Sequence, residues 1–505
     1  MMPGFCNHNY NIMQTPDYVV IQVEMIHDSR IIPLDGRPHP DASIQQWLGS
    51  SRGRWERETL VVETTNLSAK ADEQRVEMAN VVFGTAARAR TKLLPPPPRR
   101  GSESEVPRTA IRRAGLTAAC AAFLVAAASA QPAEPPAPAA PVPFVAHTID
   151  TDVPSGYQVV ITDLNGDRRP DIVALATRQP DLVWYENPAW GRHVIAAGLS
   201  RMINVAAHDI DGDGRPELAL AHGFTTVYDE SPGIVSLLES GDDPRRPWSM
   251  REIDRTPTTH RLRWADVDGS GAKVLINAPL IGAASVRPEF RDTLALLWYR
   301  PADWERRVLT DAERGVVHGI GVGPWGDPDR EAVLSASFQG IHLHEFAAGG
   351  WTRTRLTGGD PAPWPESGAS EAQAGRLGAE RFVATIEPWH GHQVVVYRRA
   401  PGSGAGEWAR QVIDASIEDG HTLVTADLDG DGRDEIVAGE RRGRTSVYLY
   451  RMDSRTGAWS RQVLDDGGMG ASGCAVHDLN ADGRPDVICI GSRTANLKWY
   501  ENAGP

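Results

Sequence analysis

One short repeat narrows the possible folds of this chain more than any other feature. It runs from Asp427 to Glu440 and reads DLDGDGRDEIVAGE. Asp427, Asp429 and Asp431 place side-chain oxygens at alternate positions, and Glu435 adds a carboxylate at the ninth. Gly432 lets the backbone turn sharply, and the apolar run Ile436-Val437-Ala438 follows. Ca²⁺ takes about six to eight oxygens from flexible loops, and this spacing can wrap one. An EF-hand would need a bidentate Glu at the twelfth position and a helix on each side. The twelfth position here is Ala438 and both flanks read as strands. The stretch is therefore read as a calcium-type loop on a β-hairpin.

The loop recurs. Asp163, Asn165, Asp167 and Asp171 form one copy, and Asp209, Asp211, Asp213 and Glu217 another. Asp478, Asn480, Asp482 and Asp486 form a further copy. A decayed one, Asp266-Val-Asp268-Gly-Ser270, has Val274 where the last carboxylate should stand. The bland reading is that these loops only brace turns, with or without metal. Net charge is −14, with many carboxylates in the repeats. Nucleic acid is excluded as a partner on that balance, because phosphate binding needs a basic face. Carbohydrate or a protein surface is expected instead, with Ca²⁺ in the loops.

Ahead of the repeats the chain changes character. Residues 1–96 are read as a small β-rich fragment, with strand-like runs from Tyr18 to Glu24 and from Thr59 to Thr64. The runs Met25–His39 and Ser51–Asn66 resemble part of a β-rich domain of uncharacterised secreted bacterial proteins. Residues 97–143 hold a Pro-rich linker, a tether and, at 108–130, a basic start, a short apolar middle and an Ala-Ser-Ala end. That order is the pattern of a secretory signal peptide, too short to span a bilayer. A buried hydrophobic helix is the alternative. Export is expected, with a periplasmic or secreted mature chain beginning near Gln131. An export signal this far from Met1 implies a start placed too early or two joined reading frames. No stable membrane span is expected.

From Phe144 onward each unit has four strands: an apolar strand into the Asp loop, a strand after it, an aromatic strand and a Trp-led strand. The Trp-led strand appears at Trp190, Trp248, Trp304, Trp351, Trp408 and Trp459, and these Trp are expected in the core. First strands begin near Gly156, Ile203, His260, His318, Ser370, His421 and Ser472. The last unit stops before its fourth strand, and Phe144–Asp150 (FVAHTID) matches the missing piece. A ring of blades closed by its two termini explains this, since closure pairs the free edges. The predicted fold is all-β: a seven-bladed propeller of four-stranded blades over 144–505, closed by an N-terminal strand. Cys474 and Cys489 fall on neighbouring strands and read as two buried thiols, with a disulfide open to them in an oxidising compartment.

The loops and their period resemble the FG-GAP/VCBS repeat propellers of integrin heads and secreted bacterial proteins. That resemblance implies the fold and leaves the activity open.

First strands line the channel of a propeller. Six residues before the loop Asp stand His260 and His421; His318 falls at the equivalent start in blade four, and Glu371 or a neighbour in blade five. Imidazoles and a carboxylate converging on one point suit a divalent transition metal or an acid/base pair. The alternative is a polar plug of water-bridged imidazoles. Glu387, His390 and His222 are expected to rim the same mouth, and His208 and His477 to brace the loops. The His-lined mouth and the run IEPWHGHQVVVY (Ile386–Tyr397) resemble the propeller part of aldos-2-ulose dehydratases. That resemblance implies β-elimination on a carbohydrate, with His390 or His421 as base and His260, His318 and Glu371 holding metal or substrate. No cupin-like second domain, such as those enzymes carry, is read in the sequence. A non-catalytic binding or surface-interaction propeller is the rival expectation.

Overall fold

The computed structural model describes residues 10–15, 17–23, 28–41, 50–56, 59–66, 141–399 and 408–504. The signal-like segment 108–130, the linker, Cys6 and Cys120 lie outside the described residues. The chain divides into two units, Met1–Ser129 and Ala130–Pro505. In the first, Tyr10–Gln14, Tyr18–Val23 and Asp28–Pro33 form a three-stranded antiparallel sheet, and Ser50–Glu56 pairs with Thr59–Thr65. Among the described residues no helix is long and apolar enough to cross a membrane.

The second unit is a propeller of seven four-stranded antiparallel sheets. First strands are Gly156–Thr162, Asn204–His208, Thr259–Ala265, Val317–Trp325, Glu371–Leu377, Gly420–Ala426 and Ala471–His477. Second strands such as Asp171–Ala176, Glu435–Glu440 and Asp486–Gly491 are buried at every residue. That is why they read as continuous apolar runs: both faces of each blade are covered by a neighbouring blade. The apolar clusters lie between blades; Val173, Leu175 and Trp184 of blade one pack with Val205, Leu218 and Leu220 of blade two.

The ring closes as the repeat count requires. Phe144–Asp150 runs antiparallel to Leu497–Asn502, with Asn502 opposite Phe144 and Leu497 opposite Asp150. His147 stacks on Trp499 with ring centroids 4.6 Å apart. A second device ties each of four blades to the one before it. Tyr185, Tyr299, Tyr450 and Tyr500, all on third strands, donate to Asp150, Asp254, Asp414 and Asp465 at fourth-strand ends, at 2.5, 2.5, 2.8 and 2.7 Å. Bonds from a hydroxyl to a carboxylate are among the stronger kind. The Asp150 tie crosses the closure itself.

Two expectations need correction. Cys474 and Cys489 sit directly opposite one another and are joined in a disulfide, so they are not two thiols. Their Cα atoms are 4.2 Å apart, within the reach of a close cross-strand pair. Of the Trp leading the fourth strands, Trp248 is buried, but Trp190, Trp304, Trp351, Trp408 and Trp459 are only half-buried. Each of these five still packs against a buried apolar cluster, so they border the core and are not sealed inside it.

Candidate functional site

The blade loops come first, because they fix where each first strand ends. In every full copy the last acid reaches back seven residues. Asp171, Glu217, Glu435 and Asp486 accept the backbone N–H of Leu164, Ile210, Leu428 and Leu479 at 2.8 to 3.0 Å. Asp209, Asp427 and Asp478 take the N–H groups of Gly214, Gly432 and Gly483 at 2.8 to 3.0 Å. Asp163 takes that of Arg168 at 2.6 Å. Asp209, Asp211 and Glu217, and likewise Asp427, Asp429 and Glu435, bring carboxylate oxygens within 4.8 Å of one another. Asp427 Oδ1 is buried without a partner. The decayed loop instead has Glu331 of blade four, which accepts from Asp266 N at 2.7 Å and from Lys273 Nζ at 3.1 Å. Of the two loop-flanking His, His477 contacts the Asp478 carbonyl at 3.1 Å, while His208 packs on Trp264.

These loops carry more negative charge than they answer. Burial, and then Asp429 and Asp431, push the Glu435 carboxyl up to about 8. Burial, and then Asp167 and Asp163, push Asp171 up to about 7. A carboxyl raised on folding favours the folded state while protonated and opposes it once ionised. In a chelator, stability is therefore expected to fall as pH rises from about 4 to about 8. Added Ca²⁺ should raise the melting temperature more at pH 8 than at pH 5; a loop that binds it contributes about 2.7 kcal/mol at a hundredfold excess over its Kd. Thermal scans at both pH values check this; an equal calcium effect at the two would contradict it.

The axial cluster is built by first strands. His260, His318 and His421 each stand second in theirs and are 2 % exposed. His390 enters from the turn after the second strand of blade five; its side chain is 21 % exposed, so the site opens on its side. The Nε2 atoms of His318 and His390 are 3.1 Å apart. Ligand atoms of His318, His390 and His421 lie within 4.8 Å of one another. Glu371 Oε1 is 2.9 Å from His318 Nδ1 and 3.5 Å from Arg261 Nη2. Glu371 needs room: a Cβ on Gly319 would stand 2.6 Å from its Oε2, which explains a glycine beside His318.

Hydrogen bonds assign the tautomers. His421 Nδ1 is 2.7 Å from the Ser472 carbonyl, which only accepts, so this nitrogen carries the hydrogen. Nε2 is then a lone pair, buried and without a partner. His318 Nδ1 faces Glu371 Oε1 at 2.9 Å and the Ser370 hydroxyl at 3.1 Å; with its hydrogen held there by the carboxylate, Nε2 is a lone pair. His260 Nε2 faces Arg261 Nη1 at 2.9 Å and the Tyr157 hydroxyl at 3.0 Å. Arg261 also donates to that hydroxyl at 3.1 Å, and its guanidinium lies 5.4 Å from the Tyr157 ring centroid. His390 Nδ1 lies 3.2 Å from Arg441 Nη2 and 3.5 Å from Asp419 Oδ1.

Burial, and then the Arg441 charge, holds His390 and His421 well below the usual imidazole range; burial and Arg261 do the same to His260. Burial also lowers His318, against the pull of Glu371. Burial opposes ionisation of Glu371, but the His318 bond and Arg261 outweigh it and hold the carboxyl below its ordinary value. The cluster is thus a set of neutral imidazoles beside one carboxylate, a donor set that suits a divalent ion. His318 backed by Glu371 is the carboxylate–imidazole pairing that orients metal ligands.

His260, His318, Glu371, His390 and His421 therefore converge. His222 and Glu387 do not join them. His222 Nε2 bonds Ser236 at 3.0 Å inside blade two. Glu387, fully buried, accepts from Thr385, Tyr397 and Arg410 of blade five at 2.8, 2.7 and 2.7 Å. Sequence reasoning missed Tyr157, Arg261, Arg441 and Asp419. Tyr157 and Ser472 stand six residues before Asp163 and Asp478, so the register that found His260 and His421 points to them too.

Fold and site together define a seven-bladed β-propeller carrying FG-GAP-like repeats. The FG-GAP-like repeat family matches residues 163–220 and 427–489, the blades with full loops. The β-propeller domain of aldos-2-ulose dehydratase matches residues 232–400, where the loops are decayed or lost. The chain is 28 % identical over 288 residues to the aldos-2-ulose dehydratase of Phanerodontia chrysosporium, covering 50 % of this chain and 32 % of that protein. The chain is thus related to that enzyme's propeller domain, and the match spans about a third of the enzyme's length. Among solved structures, a chain of a Kuenenia stuttgartiensis hydrazine synthase has a TM-score of 0.47 at 14 % identity, covering 70 % of this chain and 97 % of that one. A chain of a mitotic checkpoint complex has 0.47 at 12 %, covering 76 % and 99 %.

Proposed function

We propose that this chain is an exported, calcium-braced propeller whose axial cluster holds a divalent transition metal and processes carbohydrate by β-elimination. The observation that carries it is the lone pair of His421 Nε2, buried, unpartnered and grouped with His318 and His390 inside a ring whose neighbouring blades match a dehydratase propeller. A buried nitrogen left without a partner costs stability unless something fills its place. His318, His390 and His421 would hold the ion, with Glu371 orienting His318 and Asp419 taking the Nδ1 hydrogen of His390. A divalent ion there supplies stabilisation for negative charge developing on a substrate oxygen.

The proton-transfer role falls to the Tyr157–His260 pair. The Tyr157 hydroxyl lies 3.0 Å from His260 Nε2 and 3.1 Å from Arg261 Nη1. Elimination needs a base that takes the proton next to a carbonyl or carboxylate while a β-substituent leaves, and in this reading the pair supplies it. His390 and His421 thus move from candidate bases to candidate ligands. The rival, a non-catalytic binding propeller, has one observation in its favour. Arg441, His390, His318 and Glu371 also form an unbroken donor-to-acceptor line that needs no metal.

The test is absorbance of an unsaturated product from ketosugars and uronic-acid glycans, using metal-loaded protein. Tyr157→Phe is expected to lower kcat by about 100-fold or more with the fold intact. Metal-loaded protein that yields no unsaturated product from either class contradicts the proposal.

A further inference from the structure

Away from the axis, blade four and its link to blade five line an open hollow of about 630 Å³, whose walls include Gln339, His342, Arg353, Arg355, Asp360 and Trp364. Behind it lies Glu313, fully buried, which accepts from Ser335 at 3.0 Å, Ser337 at 3.2 Å and Arg353 Nε at 3.0 Å. Burial works against its ionisation, but the His344 contact and the charges around it, Arg353 included, hold it below the usual carboxylate range. Arg353 is pinned further by Gln339 Oε1 at 3.1 Å. Asp360 is also answered: it accepts from Gln393 at 3.2 Å and from Ala362 N at 2.9 Å, with Arg410 at 3.9 Å.

What remains unanswered in this lining is positive or neutral. Arg355 is exposed, and among the described residues no carboxylate pairs with it. The Arg355 guanidinium lies over Gly358, with a Cβ built there 2.7 Å from Nη2, the mobile end of that side chain. His342 is 2 % exposed, and its Nδ1 has no hydrogen-bond partner; the nearest Glu313 oxygen is 3.7 Å away. Burial pulls His342 down to about 4, so at neutral pH it is an uncharged imidazole able to bond a hydroxyl. Trp364 meets Phe338 at 5.3 Å, Phe338 meets Trp389 at 5.7 Å, and Trp389 meets His390 at 5.0 Å. The cavity and the axial cluster thus share one aromatic wall.

We infer that this cavity is a subsite for a carboxylate-bearing sugar residue, with Arg355 taking the carboxylate, His342 a hydroxyl, and Trp364 with Phe338 the apolar side of the ring. The substrate reaching the axis is then part of an acidic oligosaccharide; the sugar half of this inference rests on the carbohydrate reading above. Guanidinium–carboxylate recognition is strong and sensitive to geometry.

Calorimetric titration of the full chain with trigalacturonate, with its fully methyl-esterified counterpart and with inorganic sulfate tests it. Arg355→Gln and, independently, Arg355→Ala are each expected to weaken trigalacturonate binding by about tenfold and to leave the ester, which keeps the shape without the charge, unchanged. Trigalacturonate binding that neither variant alters overturns the inference, as does sulfate binding as tightly as the sugar acid. Arg355-dependent binding without an eliminated product upholds the subsite and fails the axial reading. Elimination of a neutral ketosugar, with trigalacturonate bound equally by wild type and Arg355→Gln, does the reverse.

Discussion

A chain beginning at residue 151 is expected to be recovered as aggregate, where one beginning at residue 141 folds. Removing Phe144–Asp150 strips the fourth strand from blade seven and leaves Leu497–Asn502 as an open edge. An unpaired strand edge is a template for association with other chains. The Tyr185 hydroxyl loses its Asp150 acceptor, and Trp499 loses the His147 ring that covers it. Phe144 and Ile149 leave two of the apolar clusters between blades. An orphaned buried hydroxyl alone costs about 1–3 kcal/mol. Together these losses are a large share of the ~5–15 kcal/mol by which domains are stable. Soluble yield and thermal scans of the two chains check this. A 151-start protein melting close to the 141-start one would mean that the ring does not depend on its closing strand.

The second large effect is at the axis. His421→Ala removes an axial imidazole whose Nε2 lone pair is buried without a partner. Loss of a partner that merely orients a ligand typically costs about 10–100-fold in metal affinity, so loss of a ligand should cost more than about 100-fold. The fold should survive, because His421 makes one hydrogen bond, to the Ser472 carbonyl, and carries no ion pair. Competition against a chelator with a defined metal affinity, alongside a thermal scan, separates the two effects. Wild type and His421→Ala binding metal equally well would place the ion elsewhere.

Much of the fold was legible in the sequence because the repeats encode local geometry. The Asp loops mark where first strands end, and the orphan FVAHTID strand marks the closure. The Tyr–Asp ties went unread although both partners recur, because a third-strand Tyr meets the Asp of the preceding blade and no local pattern links the two. The axial site was legible in part. Counting back six residues from the loop Asp reaches His260 and His421, and equally Tyr157 and Ser472, whose residue types alone do not signal a metal or acid/base site. Arg441 and Asp419 sit in turns of irregular length, where register says nothing. Glu387 and His222 were misplaced because the side chains at the ends of their second strands point into their own blades, where Arg410 and Ser236 meet them. Cys474 and Cys489 could be put on neighbouring strands, but their direct opposition depends on register.

Anomalous diffraction from crystals of the metal-soaked protein, collected at the metal's absorption edge, tests the axial centre most directly. The expected result is one strong peak within bonding distance of the Nε2 atoms of His318, His390 and His421. A map empty at that point, with His390 still bonded to His318 and Arg441, would contradict it.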